Sequence, residues 1–152
     1  MRIDAFLAES PMFAVARAAR RFEALAARAL AADNLGFMEA LVIAGLFFEA
    51  PRQLKPSELA ATFGTTRCSV SHCISSLEAK GLVQRKIDPE DARAYLLSLK
   101  SQGRRCALRV IAALDHQQKA FEDELGKEEL TAMLRSIRRL DSVLPVRKND
   151  SH

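Results

Sequence analysis

The feature that most constrains the fold is a change of hydrophobic periodicity at Gly81. Before Gly81, apolar residues recur at intervals of three and four, which is the spacing of one face of a helix. They are Leu59, Ala60 and Phe63, followed by Val70, Cys73, Ile74 and Leu77. After Gly81, residues 82–87 and 95–99 form two strand-like runs, separated by the turn residues 88–93. The order helix, helix, hairpin predicts a winged helix-turn-helix.

Signals for helix ends support this interpretation. Pro56 suits the first turn of the first short helix, and Gly64 suits a left-handed stop after it. Thr66 is a good N-cap for the second helix, which Gly81 closes. The chain between residues 56 and 81 therefore predicts two helices joined by a tight turn.

The opposite face of the second helix is polar and free of carboxylates. Its residues are Arg67, Ser69, Ser71, His72, Ser75 and Ser76. An arginine at the start of such a helix can reach a phosphate or the O6/N7 edge of guanine. Hydroxyl and imidazole groups can donate to phosphates or base edges. In the hairpin, Arg85 and Lys86 are placed to neutralise phosphates. These features predict a surface that contacts DNA, although an ordinary polar surface remains the alternative for His72.

The same region resembles the MarR family of bacterial transcription regulators. The resemblance rests on residues 57–60, 69–71, 77–83, 88–95 and 97–99. It implies that the chain dimerises through its terminal helices. It also implies a wing element in which Asp91 holds the loop and the side chain of Arg93 in place for DNA. The alternative is that Arg93 belongs to an ordinary surface turn with a salt bridge.

Four positions depart from the family pattern. His72 stands where arginine is frequent, the pair Ser75-Ser76 stands where Asp-Arg is frequent, and Ala92 replaces an arginine. The second helix, which is expected to enter the major groove and is called the reading helix below, therefore carries fewer permanent charges than is usual in the family. Weaker DNA binding, or binding tuned by protonation of His72, would follow.

Charge is distributed unevenly along the chain. Residues 51–105 hold ten Lys/Arg against five Asp/Glu, a charge of +5, and the remainder holds thirteen against fourteen, a charge of −1. A solvated basic face is one interpretation. Combined with the helix-turn-helix pattern, the bias favours a polyanionic partner, which we predict to be double-stranded DNA with a pseudo-palindromic operator.

The flanking sequence predicts further helices. Residues 1–11 are expected to be a short arm, residues 12–32, 37–49, 101–125 and 128–144 to be helices, and residues 53–55 a minimal third strand. The expected fold class is mainly α with a small β-wing. Residues 1–50 would form scaffold and dimerisation helices, 51–100 the DNA-binding region, and 101–152 the C-terminal helices of one intertwined domain.

Apolar seams lie on helices at both ends of the chain. Their members are Met12, Val15, Phe22, Leu130, Ile137, Leu140 and Leu144. They can pack on each other within one subunit or meet their counterparts in a second copy. We favour a homodimer because twofold symmetry doubles the few base contacts of a single reading helix.

Two smaller groups carry alternative hypotheses. Phe37, Phe47 and Phe48 are candidates for a pocket that binds a small-molecule effector, or they are simply core. Cys68 and Cys106 are candidates for a redox switch, since Cys68 lies at the positive end of a helix beside Arg67, which favours a thiolate.

Other classes of function find no support in the sequence. The three histidines show no metal-ligand spacing, no catalytic motif is present, and no cofactor is expected. The apolar runs are too short for a bilayer span, and the N-terminus lacks a signal-peptide layout, so we expect a cytoplasmic protein without a membrane partner.

The sequence thus predicts a homodimeric, sequence-specific DNA-binding regulator, in most such families a repressor, whose affinity responds to a small molecule. Two alternatives remain open. One is a winged-helix dimer that acts as a protein-interaction module with weak or no DNA binding. The other is a regulator that senses oxidants through a cysteine.

Overall fold

The computed structural model describes residues 2–143 and confirms the predicted class, mainly α with a small β-wing. In chain order the elements are α1 (Arg2–Glu9), α2 (Pro11–Ala29), a 3-10 turn (Ala31–Asp33), α3 (Phe37–Phe48), α4 (Pro56–Thr62), α5 (Arg67–Ala79), β1 (Val83–Asp88), β2 (Asp91–Leu99) and α6 (Ser101–Val143). The chain divides after Leu114 into two compact units. The predicted roles of residues 1–50, 51–100 and 101–152 stay predictions.

The core of the first unit surrounds α3. This helix is apolar on several sides, with Val42 and Ile43 fully buried, and it packs against α2, α5 and β2. From α5, Val70, Ile74 and Leu77 are completely buried in the same core. Burial of each such side chain stabilises the fold by about 1.5–3 kcal/mol. The apolar face of α5 is therefore held inward, and its polar face is left outside.

The predicted signals for helix ends are confirmed. Pro56 is the first residue of α4, and Gly64 follows that helix at a φ of 60°. The hydroxyl oxygen of Thr66 accepts a hydrogen bond from the backbone N–H of Ser69 at 3.1 Å, which caps α5. Gly81 closes α5 at a φ of 72°. Both glycines lie in the left-handed region, where other residues are strained.

The hairpin has a shorter turn than the sequence predicted. β1 and β2 pair antiparallel from Val83–Leu99 to Ile87–Tyr95, and the register then shifts so that Asp88 pairs with Asp91. The prediction of a turn over residues 88–93 is wrong in length, because the Asp88 carboxylate accepts from the N–H of Glu90 at 3.0 Å and closes the turn early. The third strand is confirmed as a single bridge between Leu54 and Leu97.

The prediction of a short arm over residues 1–11 is wrong, since Arg2–Glu9 forms the helix α1 and packs against α2. No helix breaker occurs before Ser10, and Asp4 in the first turn complements the positive helix end. The hydroxyl of Ser10 then accepts from the N–H of Phe13 at 3.3 Å and starts α2. That helix ends at Ala29, earlier than expected, because a 3-10 turn follows it.

The predicted break in the C-terminal helix is confirmed at Gly126, whose φ of 75° and ψ of 159° are not helical. Before the break, Cys106, Ala107 and Val110 are buried in the core of the first unit. After the break, the helix continues to Val143. The predicted helix end at residue 144 lies outside the described residues.

Candidate nucleic-acid interface

The polar face of α5 is presented to solvent. Arg67, Ser69, His72 and Ser75 are exposed, and Ser71 is partly exposed. Within residues 2–143, no hydrogen bond or ion pair occupies the side chains of Arg67, Ser71 or His72. Their donors are therefore available to a ligand, and the one permanent cation among them lies in the first turn of the helix.

The remaining serines of α5 already have partners in the protein. The hydroxyls of Ser69 and Thr66 lie 3.0 Å apart, and Ser75 accepts from Nη2 of Arg85 at 3.0 Å. Ser76 is partly buried and donates to the carboxylate of Glu39 in α3. Ser76 therefore faces the scaffold, and of the predicted DNA contacts it has the least structural support.

The end of α5 is latched to the start of α3 by a partly buried charge pair. Nζ of Lys80 lies 2.9 Å from both carboxylate oxygens of Glu39 and 2.7 Å from the carbonyl oxygen of Asn34. Glu39 also accepts from the N–H of Gly36 at 2.8 Å. Burial by itself would raise the pKa of Glu39, but the hydrogen bonds from Ser76, Gly36 and Lys80 outweigh it and hold that pKa below its usual value. This Glu39–Lys80 latch connects the reading helix to the core.

Sequence reasoning did not identify the latch. Glu39 at the third position of α3 is a recognisable capping pattern. Its partner Lys80 lies 41 residues further along the chain, and only the fold brings the two side chains together.

In the wing, the two adjacent cations have different surroundings. The guanidinium of Arg85 lies against Glu78 and over the ring of Tyr95, with Cζ 4.7 Å from the ring centroid. Lys86 is exposed, and among the described residues its ammonium group has no ion-pair partner. Both were predicted to neutralise phosphates, and for Lys86 the free ammonium group is compatible with that role.

The turn of the wing is tied to the helix-turn-helix. The carboxylate of Asp88 is buried and lies 2.7 Å from Nζ of Lys55, at the N-cap of α4. The hydrogen bond from Lys55, followed by that from the N–H of Glu90, holds the pKa of Asp88 below its ordinary value. Nearby, Asp91 accepts from the backbone N–H of Arg93 at 3.0 Å, and the Arg93 side chain is exposed. The Lys55–Asp88 pair was missed because its members lie on different elements.

The three phenylalanines proposed for an effector pocket differ in their surroundings. Phe37 and Phe47 pack against the core, whereas Phe48 is 69% exposed. Phe48 borders a cavity of about 530 Å³ between α3 and α4. Arg52 lies on the wall of that cavity and pairs with Glu49 and Glu58.

The cysteines differ in accessibility. Cys68 is exposed at the start of α5. Cys106 is buried and donates to the carboxylate of Asp33, with 3.7 Å between sulfur and oxygen. Burial, followed by the charge of Asp33, raises the pKa of Cys106, which opposes formation of a reactive thiolate. Of the two redox candidates, only Cys68 is accessible.

Most of the predicted dimer contacts are exposed in a single chain. Met12 is 78% exposed, and Val15, Phe22, Ile137 and Leu140 are 41–45% exposed. Leu130 is buried. Leu144 lies outside the described residues.

Neither a metal-binding cluster nor a membrane-spanning helix occurs within residues 2–143. No cluster of three potential metal ligands occurs there. None of the helices described combines the length and apolar character needed to cross a bilayer.

The exposed second helix, the hairpin beside it and the bridge at Leu54 define a winged helix-turn-helix protein. Residues 49–95 match the model of the MarR family. Over 95 residues the chain is 32% identical to a protein of Thauera aromatica whose name assigns it to transcriptional regulation of the hcr operon. That alignment covers 60% of this chain and 57% of the relative, so the chain spans little more than half the relative's length.

Solved structures share the fold over nearly the whole chain. MepR of S. aureus, in complex with DNA, superposes with a TM-score of 0.83 at 18% identity and covers 89% of this chain and 98% of its own. The regulator PcaV of Streptomyces coelicolor, with its natural ligand, gives 0.79 at 22% identity over 90% and 95%. The repressor CouR, bound to a 23-mer DNA duplex, gives 0.77 at 26% identity over 89% and 94%. The middle of the chain is therefore similar to the MarR family, and the chain shares its fold with these solved structures.

Proposed function

We propose that this chain is a homodimeric, sequence-specific DNA-binding transcription regulator. The observation that carries the proposal is the orientation of α5. Its apolar face is fully buried through Val70, Ile74 and Leu77, and its polar face, which carries no carboxylate between Arg67 and Ser75, is presented outward. A helix held in this way can enter the major groove without rearrangement, while the wing follows the adjacent backbone.

Charge supports DNA as the partner. Arg67 on α5, and Lys86 and Arg93 on the wing, are exposed cations, and no described carboxylate pairs with their side chains. Phosphate contacts supply most of the affinity of DNA-binding proteins, and base contacts supply the specificity. We assign Lys86 and Arg93 to the phosphates and Arg67 to a guanine edge or a phosphate. MepR and CouR, which share the fold, were crystallised with DNA.

Exposed apolar side chains support the homodimer. Met12 and Val15 on α2, and Ile137 and Leu140 on α6, are large hydrophobic residues left in solvent by a single chain. A second copy that covers them would bury this surface in an isologous interface. Two reading helices related by a twofold axis then require a pseudo-palindromic operator with half-sites about one helical turn apart.

We further propose that a small molecule lowers the affinity for DNA, so that the protein acts as a ligand-responsive repressor. PcaV was crystallised with a natural ligand, and CouR is named as a repressor. An effector shifts DNA affinity only if it binds the two conformations of the regulator with different affinity. The cavity of about 530 Å³ beside Phe48 has the size of a small-molecule site. The proposal implies a cytoplasmic location, since bacterial DNA lies there.

A salt titration of binding to random duplex DNA tests the proposal. A regulator that neutralises several phosphates should lose about 100-fold in affinity or more between 50 and 200 mM salt, because counterions are released on binding. Replacement of Arg67 by alanine should relax base preference at one operator position by about 1–3 kcal/mol if this residue reads a guanine. Absence of measurable DNA binding at 50 mM salt would instead favour the protein-interaction module.

A further inference from the structure

The surroundings of Arg85 indicate a role other than the one its sequence position suggests. We propose that Arg85 is a positioning residue that holds the wing against the reading helix, and that it is not a phosphate ligand. This inference rests on the proposed function. It concerns how the two DNA-contacting elements keep their relative orientation.

The guanidinium group of Arg85 is occupied on its edge and on its face. Nε lies 2.7 Å from Oε2 of Glu78, which is an ion-pair distance, although the N–H does not point at that oxygen. Nη2 donates to the hydroxyl of Ser75 at 3.0 Å. The group also lies over the ring of Tyr95. A bidentate contact with phosphate would therefore require these interactions to be broken.

The partners of Arg85 belong to two different elements. Glu78 and Ser75 are three positions apart on α5, so both lie on one side of the reading helix. Tyr95 lies on β2 and pairs with Ile87, which is on the same face of β1 as Arg85. Arg85 thus joins the hairpin to the reading helix. The Arg85–Glu78–Tyr95 group is below called the brace.

The neighbouring residue provides a matched contrast. Lys86 points to the other face of β1 because side chains alternate along a strand. It is exposed, whereas about a third of the side chain of Arg85 and of Glu78 remains exposed. Two adjacent cations of the wing therefore have separate tasks: Lys86 can meet the phosphate backbone, and Arg85 fixes the angle of the hairpin.

The brace predicts that removal of the negative charge of Glu78 weakens DNA binding, whereas charge repulsion alone predicts that it strengthens binding. Loss of a carboxylate beside DNA should strengthen binding if Glu78 only repels phosphates. If Glu78 holds Arg85, Glu78→Gln should weaken operator binding, since the wing loses its anchor. The two ideas therefore differ in the direction of the effect.

The first test compares Arg85→Gln, Glu78→Gln and the control Lys86→Gln in binding to a selected operator over a range of salt concentrations. Lys86→Gln should reduce the salt slope by about one unit for each phosphate that is no longer neutralised. Arg85→Gln and Glu78→Gln should each lower operator affinity about tenfold and leave the slope unchanged. The charge swap Glu78→Arg with Arg85→Glu should recover most of that affinity. The proposal would be overturned if Arg85→Gln reduces the salt slope and, in addition, either Glu78→Gln binds the operator more tightly or the charge swap does not restore affinity.

The second test needs no DNA and separates failure of the brace from failure of the proposed function. Tyr95 is the single tyrosine of a chain without tryptophan, so its fluorescence reports on the brace alone. Acrylamide should quench Tyr95 about twofold more efficiently in Arg85→Gln and Glu78→Gln than in the natural protein or Lys86→Gln. Unchanged quenching in Glu78→Gln would rule out the brace even if the protein binds DNA. Increased quenching in a protein that binds no DNA would establish the brace and reject the regulator.

Discussion

At the scale of single residues, Gly103 is the glycine whose surroundings leave the least room for a side chain. A Cβ atom at this position would lie 2.0 Å from the backbone carbonyl oxygen of Leu82 and 3.2 Å from the side chain of Leu99. Gly103 therefore allows the first turn of α6 to lie directly against the chain where α5 passes into the wing. A backbone carbonyl cannot move aside as the end of a flexible side chain can.

We expect Gly103→Ala to lower the free energy of unfolding by about 3 kcal/mol or more, because overpacking against backbone shifts both elements. Urea denaturation of the purified variant measures this. Gly36→Ala is the control, since its Cβ would come no closer than 3.8 Å, to the flexible side chain of Glu39, and should cost less than about 1 kcal/mol. Equal and small losses in both variants would show that α6 does not approach Leu82 so closely.

Single residues also show how far sequence reasoning reaches. Thr66, Gly64 and Gly81 were predicted correctly because a cap or a left-handed turn depends on neighbours a few positions away. The partners of Arg85 and Lys80 could not be predicted in this way. A cation in the sequence is equally compatible with a phosphate in solution and with a carboxylate that the fold brings close.

At the scale of elements, the Glu39–Lys80 latch determines how the reading helix sits on the core. The pKa of Glu39 is held below its ordinary value in the folded protein. A carboxyl group whose pKa is lowered by folding stabilises the protein above its unfolded pKa, and this contribution is lost as pH falls through the folded pKa. Asp33, held by Arg109, and Asp88, held by Lys55, act in the same direction.

Glu39→Gln should therefore be less stable than the natural protein at pH 7, by about 1–2 kcal/mol, since an amide cannot replace the charged hydrogen bonds to Lys80. The difference should shrink between about pH 5 and pH 3 as the carboxylate of the natural protein is protonated. Urea unfolding at a series of pH values and at fixed protein concentration checks both statements. Glu128→Gln, which alters an exposed carboxylate, is the control. A difference that is constant with pH would contradict the latch.

The elements themselves were largely predictable from residue 37 to residue 125. There, apolar spacing, caps and turn residues all indicate the same structure, and the elements follow with boundary shifts of a few residues. The helix within residues 1–11 was missed although its sequence is amphipathic, because a helix of eight residues depends on packing, here against α2, for its stability. The turn of the wing was judged too long because its closure depends on the carboxylate of Asp88.

At the scale of the whole molecule, the proposal depends on a second copy of the chain. A single reading helix makes few base contacts, and a single chain leaves Met12, Val15, Ile137 and Leu140 in solvent. Both facts are explained if two chains cover these residues and present two copies of α5 to one duplex. The periodicity of the sequence indicated apolar seams, but it could not distinguish packing within a subunit from packing between subunits.

The most direct test selects bound duplexes from random DNA and measures the mass of the resulting complex in solution, with Ile137→Asp as the matched variant. We expect inverted half-sites whose centres lie about one helical turn apart, with two chains on each duplex. Ile137→Asp should be monomeric and should lose most of its operator affinity. A single unrepeated half-site bound by one chain, or no enriched sequence at all, would contradict the proposed homodimeric regulator.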